Sequence, residues 1–104
     1  MFLQGIIHGM AVRKGWYDGS TARSPAELIA LMHSELSEAL EAFRNNNPVD
    51  DKCPEFSNAS VELADCIIRI LDASEYLGLN VPGAMMAKIR YNETRPARHG
   101  GKVY

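Results

Sequence analysis

Residues 28–44, Leu28-Ile-Ala-Leu-Met-His-Ser-Glu35-Leu-Ser-Glu38-Ala-Leu-Glu-Ala-Phe-Arg44, decide how this chain folds. Leu28, Leu31, Met32, Leu36, Ala39, Leu40 and Phe43 recur at helical spacing and fill one arc of a helical wheel. Glu35 breaks the pattern. At about 100° per residue it falls between Leu31 and Ala39, inside the arc that should face a core. Glu38, one turn later, stands at the edge of that arc, so the two carboxylates are neighbours on one side. A buried carboxylate needs a proton, a cationic partner or a metal, because desolvating it alone is very costly.

Working outward, Glu62 and Asp65 repeat the i, i+3 spacing on a second helical segment. One Glu-x-x-Glu pair is an ordinary feature of a solvated helix face. Two pairs on successive helices, one member lying inside an apolar arc, are not. Four carboxylates on two helices can converge on a hard divalent cation, which prefers oxygen ligands. Zinc usually recruits His or Cys, so an all-carboxylate set points to magnesium, with manganese as the alternative.

The flanking segments complete an all-α domain. Phe2, Leu3, Ile6, Ile7, Met10 and Ala11 predict a short amphipathic helix from Phe2 to about Lys14, although Gly5 and Gly9 each weaken it by roughly 1 kcal/mol relative to alanine. Gly15 to Ser20 reads as a loop, with Trp16 packing on the domain or, alternatively, contacting a nucleobase. Ser24-Pro25-Ala26-Glu27 starts the organising helix: Ser24 caps, Pro25 fits the first helical position and Glu27 can complete a capping box. Asn45 to Pro48 ends it, and a polar connection runs through Val49 to Phe56.

The next helix begins near Ser57 or Ser60 and stops at Gly78. Its apolar arc, Val61, Leu63, Ala64, Ile67, Ile68, Ile70, Leu71 and Leu77, is far wider than the stripe of about 100° on a typical surface helix. Glu62, Asp65, Arg69, Asp72 and Tyr76 share the narrow stripe left over. A domain of a few short helices cannot cover so apolar an element, so a homo-oligomer is expected. Asn80-Val81-Pro82 starts a last helix, and Pro96 ends it. On it Lys88, Asn92 and Arg95 follow at i, i+4 and i+7, a face suited to phosphate oxygens. The tail His99-Gly100-Gly101-Lys102 is polar.

The totals agree. With 104 residues, the chain forms one domain, its core about residues 24–95 and its basic tail 96–104. A composition of 46% apolar and 23% charged residues is that of a globular chain, and a net charge of −2 gives no reason to expect nucleic-acid binding through bulk electrostatics. Cys53 and Cys66 have no zinc or redox spacing; Cys66 lies in an apolar run where a reduced, buried thiol belongs, which favours the cytoplasm. No stretch is long enough for a transmembrane helix, and no membrane partner is expected.

Glu35-Leu-Ser-Glu38, followed after 23 residues by Glu62-Leu-Ala-Asp65, resembles the Glu-x-x-Glu…Glu-x-x-Asp signature of MazG-like, all-α nucleoside triphosphate pyrophosphohydrolases. The ending Lys88…Asn92…Arg95-Pro96…His99-Gly100-Gly101-Lys102 is similar to that of many members, so the likeness covers about residues 24–102. The resemblance implies a four-helix-bundle-type subunit completed as a homodimer or homotetramer, with magnesium on Glu35, Glu38, Glu62 and Asp65. It further implies a nucleoside triphosphate substrate, cleaved between the α and β phosphates to the monophosphate and pyrophosphate. Water attacks the α-phosphorus and a glutamate, here Glu38, accepts its proton. Related branches act on dUTP, dCTP or phosphoribosyl-ATP, so the likeness does not carry the base. A different class of reading is a non-enzymatic helical module whose acidic clusters bind a partner protein; pyrophosphate release discriminates the two.

Overall fold

The computed structural model describes residues 2–18 and 23–95. Four helices follow one another: α1 (Phe2–Arg13), α2 (Pro25–Arg44), α3 (Asn58–Leu77) and α4 (Val81–Glu93). Among the described residues there is no strand, only an isolated bridge between Val49 and Ser57. The all-α reading therefore holds. The Pro96 stop and the basic tail fall outside the described residues.

The helix ends are built by the side chains the sequence places there. Ser24 Oγ accepts from Glu27 N at 3.1 Å, and Pro25 opens α2. The Glu27 carboxylate turns instead to Arg23, 3.4 Å away, so the capping box is half made. After α2, Asn46 and Asn47 take φ of 63° and 47°, a left-handed region that Asn tolerates better than most side chains. Asn47 Oδ1 then accepts from Ala59 N at 2.8 Å, serving the first turn of α3. Ser57 is the α3 cap, accepting from Ser60 N at 3.2 Å, and Gly78 closes that helix at φ 72°. Asn80 caps α4 through Gly83 N at 3.0 Å.

The connection between α2 and α3 is organised by Asp50, which is buried. Its carboxylate accepts from Lys52 N at 3.0 Å, Cys53 N at 2.9 Å and Asn58 Nδ2 at 2.9 Å. These donors, the Cys53 N–H above all, hold its pKa below the usual carboxylate value. The turn returns the chain along α2: Asn47 meets Ala59 at one end and Glu35 meets Arg69 further along, so α2 and α3 are antiparallel.

Their seam is thin and made of small groups. Ala39 and Ala42 on α2 and Ala59, Cys66 and Ala73 on α3 are buried, with Leu28 and Leu71 the largest apolar residues among them. Cys66 is the buried thiol expected, its Sγ 3.6 Å from Met32 O. Much of the remaining apolar surface faces outward, while Leu31, Met32, Val61, Ile68 and Ile70 are half-buried. Leu36, Leu40 and Phe43 are 48%, 54% and 59% exposed, and Leu63 and Ile67 on α3 are 43% and 57% exposed. Conversely, the narrow polar stripe of α3 is turned inward: Asp72 is buried, and Glu62, Asp65, Arg69 and Tyr76 are half-buried.

α1 is fastened to that inward stripe mainly by polar bonds. Gln4 Nε2 donates to Glu75 and to Leu79 O, both at 3.0 Å. His8 Nδ1 lies 2.7 Å from Asp72 Oδ1, and Tyr17 Oη donates to Asp72 Oδ2 at 2.6 Å. Tyr17 stacks on Tyr76 with centroids 4.5 Å apart, and Tyr76 Oη accepts from Arg23 N at 3.0 Å. Burial first, and then the Asp72 carboxylate, push the Tyr17 hydroxyl well above its ordinary pKa, keeping it a donor. Among the described residues α4 packs on none of the other helices to a similar extent, and of its residues only Pro82 is buried. The radius of gyration is 16.6 Å, against about 13 Å for a compact chain of about 100 residues.

Candidate metal and phosphate site

The inward stripe of α3 meets the one charged residue on the inward row of α2. Glu35, Glu62 and Asp65 each offer a carboxylate oxygen, and these oxygens lie within 4.8 Å of one another. The reason is register. Glu35 shares a row with Leu28 and Ala39, the residues buried against α3, so the α2 seam carries its carboxylate toward the stripe. Glu62 and Asp65 stand one turn apart on the α3 side.

Glu38 is exposed and is not part of that three-residue grouping, yet its charge still reaches Glu62. The Glu62 carboxyl is pushed above its ordinary pKa, first by burial, then by Asp65, which shares a hydrogen bond with it and adds negative charge, and finally by Glu35 and Glu38. Three of the four sequence-derived metal residues therefore come together, and the fourth stands at the rim.

From the sequence, Glu35 without metal is expected to be protonated or strained by its neighbours; the structure gives it a cationic partner instead. Arg69 Nε donates to Glu35 Oε1 at 3.0 Å, with the two side chains 28% and 15% exposed. The Arg69 guanidinium also lies over the Trp16 ring, 5.2 Å from its centroid. Beside them opens a cleft of about 280 Å³ lined by Trp16, Arg23, Leu31 and Arg69. A recess of about 10 Å³ extends it toward Tyr17, Leu28 and Asp72. Arg23 Nη1 donates to Trp16 O at 2.9 Å, and its Nε is ion-paired with Glu27 Oε1 at 3.4 Å.

Sequence reasoning missed both arginines. Arg69 was legible in principle, because it follows Asp65 by four residues on the carboxylate stripe. Arg23 had no signal; it precedes the α2 cap and reaches the cleft because its backbone N–H is held by Tyr76 of α3. Lys88 and Arg95 instead flank the exposed Tyr91 ring, their cationic groups 4.6 and 5.7 Å from its centroid. No described hydrogen bond or ion pair joins Lys88, Asn92 or Arg95 to the carboxylates; α4 ends at Glu93, before Arg95, and none of the three lines the cleft.

A pH dependence follows from Glu62. Its folded-state pKa is raised, so the folded protein keeps a proton that the unfolded chain has already released. In metal-free protein, stability should therefore fall as pH rises from the ordinary glutamate value through the raised one. Glu62→Gln should flatten that segment of a melting-temperature profile recorded in chelator. Asp50 has the opposite slope: its contribution is present above the ordinary aspartate value and lost as pH falls through its lowered pKa. A wild-type profile indistinguishable from that of Glu62→Gln above the ordinary glutamate value would contradict this.

Comparison of the chain with family models, with curated proteins and with solved structures finds no match.

Proposed function

We propose that the protein is a magnesium-dependent nucleotide pyrophosphohydrolase of the MazG-like type. The supporting observation is three carboxylates from α2 and α3 within 4.8 Å, beside a cleft that carries two guanidiniums and a Trp ring. The donor set is oxygen only, which fits a hard divalent cation, magnesium or manganese, held by Glu35, Glu62 and Asp65 with Glu38 at the rim. Such an ion, when bound, neutralises phosphoryl charge and makes water easier to deprotonate.

The chain's own residues supply the rest. Arg23 and Arg69 accommodate phosphate charge, Arg69 by its planar fork. Trp16 offers its free face to a nucleobase. Glu38, exposed at the rim, accepts the proton of the water that attacks the α-phosphorus. The exposed Leu36, Leu40, Phe43, Leu63 and Ile67 together form an apolar face suited to a second copy of the chain, and the large radius of gyration agrees with a subunit completed by assembly. In that assembly α4, little packed in its own chain, is the element free to bring Lys88, Asn92 and Arg95 to a neighbouring cluster.

One experiment addresses activity and a companion addresses assembly. Pyrophosphate release is measured with magnesium across a panel of canonical and modified nucleoside triphosphates. Turnover of at least one, with the monophosphate as the other product, is expected. No release from any, in folded protein, favours the non-enzymatic helical module. Sedimentation at micromolar concentration should give a dimer or tetramer, and a monomer that binds no apolar dye would refute the assembly.

A further inference from the structure

We propose that Arg69 is exchanged between two partners and so couples the binding of a divalent cation to that of a polyphosphate. With the carboxylates free of metal it neutralises Glu35; when a cation takes Glu35, the guanidinium moves to a phosphate oxygen in the adjoining cleft. This deepens the reading above and rests on it.

The geometry carries the exchange. Arg69 Nε is 3.0 Å from Glu35 Oε1, and Glu35 is also a member of the carboxylate group that spans 4.8 Å. The guanidinium is therefore already in the place where a bound cation would compete. It cannot escape by losing its proton, because arginine stays charged at any accessible pH. A divalent ion beside it is a like charge in a partly dehydrated site, where repulsion is strong and little screened.

The displaced group has somewhere to go. Its stem is on α3 and its guanidinium lies over Trp16, one wall of the 280 Å³ cleft. The second cation lining the cleft is Arg23, whose Nε is paired with the exposed Glu27 carboxylate at 3.4 Å. Once a cation takes Glu35, two guanidiniums lining one cleft require an anion with several oxygens. A polyphosphate meets that requirement and gains bidentate bonds from planar forks. Metal binding thus prepares the anion site, and by thermodynamic reciprocity the anion raises the affinity for metal.

The test uses manganese, titrated by electron paramagnetic resonance into the full-length protein without phosphate. Inorganic tripolyphosphate is then titrated calorimetrically at saturating manganese. Arg69→Gln removes the competing charge, so it should bind manganese about 10-fold more tightly than wild type and tripolyphosphate about 10-fold more weakly. Arg69→Lys keeps the charge and loses the fork; it should bind manganese like wild type and tripolyphosphate more weakly. A merely structural Arg69 would weaken both ligands together. Circular dichroism confirms that each variant is folded, and Arg69→Lys serves should Arg69→Gln fail to fold. Manganese binding that is unchanged or weaker in Arg69→Gln, or unchanged tripolyphosphate affinity in both variants, overturns the exchange. No manganese binding by wild type overturns the carboxylate site itself, and the exchange with it.

Discussion

Asp65→Asn is expected to lower magnesium-dependent pyrophosphate release by more than about 100-fold, since even residues that only support metal ligands cost 10–100-fold. Glu62→Gln should do the same. Both should also abolish the rise in melting temperature produced by magnesium, because a ligand that binds only the folded state stabilises it by mass action. Glu35→Gln should lose the same two responses but differ without metal. The sequence alone leads to unchanged or higher metal-free stability for it, since Glu35 looks like an unpartnered carboxylate in an apolar arc. Arg69 reverses that expectation. Losing a partly exposed, charge-assisted bond costs about 1 kcal/mol, or about 4–8 °C for a domain of this size. Glu41 is the control: its side chain is 56% exposed and pairs only with Arg44, 3.5 Å away. Should Asp65→Asn keep both its turnover and its magnesium shift, the carboxylates are not a metal site.

Asp72→Ala should produce the largest loss of stability. Asp72 is buried and accepts from His8 and Tyr17, so it ties α1 and the α1–α2 loop to α3. Removing the carboxylate leaves two largely dehydrated donors without an acceptor, at about 3 kcal/mol. Asp72→Asn keeps the shape and one acceptor oxygen and should cost about half as much. The midpoint of urea unfolding, at constant slope, reads the difference. Ultraviolet titration adds a local check, because Tyr17 should ionise nearer the ordinary tyrosine range once Asp72 is gone. A loss below about 1 kcal/mol with an unaltered Tyr17 titration would show that α1 is held by something else.

The helices and the carboxylates were readable because each leaves a local mark. Ser24, Gly78 and Asn80 sit at helix ends for reasons contained within four residues, and Glu35 announces itself by interrupting an apolar row. What could not be read was direction. α3 carries apolar residues on most of its circumference, and a wheel does not say which part meets α2. The chain turns its narrow polar stripe inward and leaves Leu63 and Ile67 exposed, a choice made by pairings more than thirty residues apart in sequence, such as Glu35 with Arg69 and His8 with Asp72. The same limit hid Arg23, since a cleft formed by three segments has no signature in any one of them. Lys88, Asn92 and Arg95 show the converse: α4 stops at Glu93, short of Arg95, and spacing on one helix does not say where that helix lies.

The alanine seam between α2 and α3 has a mechanical consequence. Ala39, Ala42, Ala59 and Ala73 are buried and have no side-chain torsion to rotate. A seam of leucines would let the helices breathe as rotamers interchanged, and the gap would be an average. Here it is a gauge. Glu35 is one turn from Ala39, and Glu62 is three residues from Ala59, so the carboxylate oxygens are mounted beside the stiffest part of the subunit. Were the cluster to hold a divalent cation as proposed, the ionic radius it admits would be set by methyl groups that bear no charge.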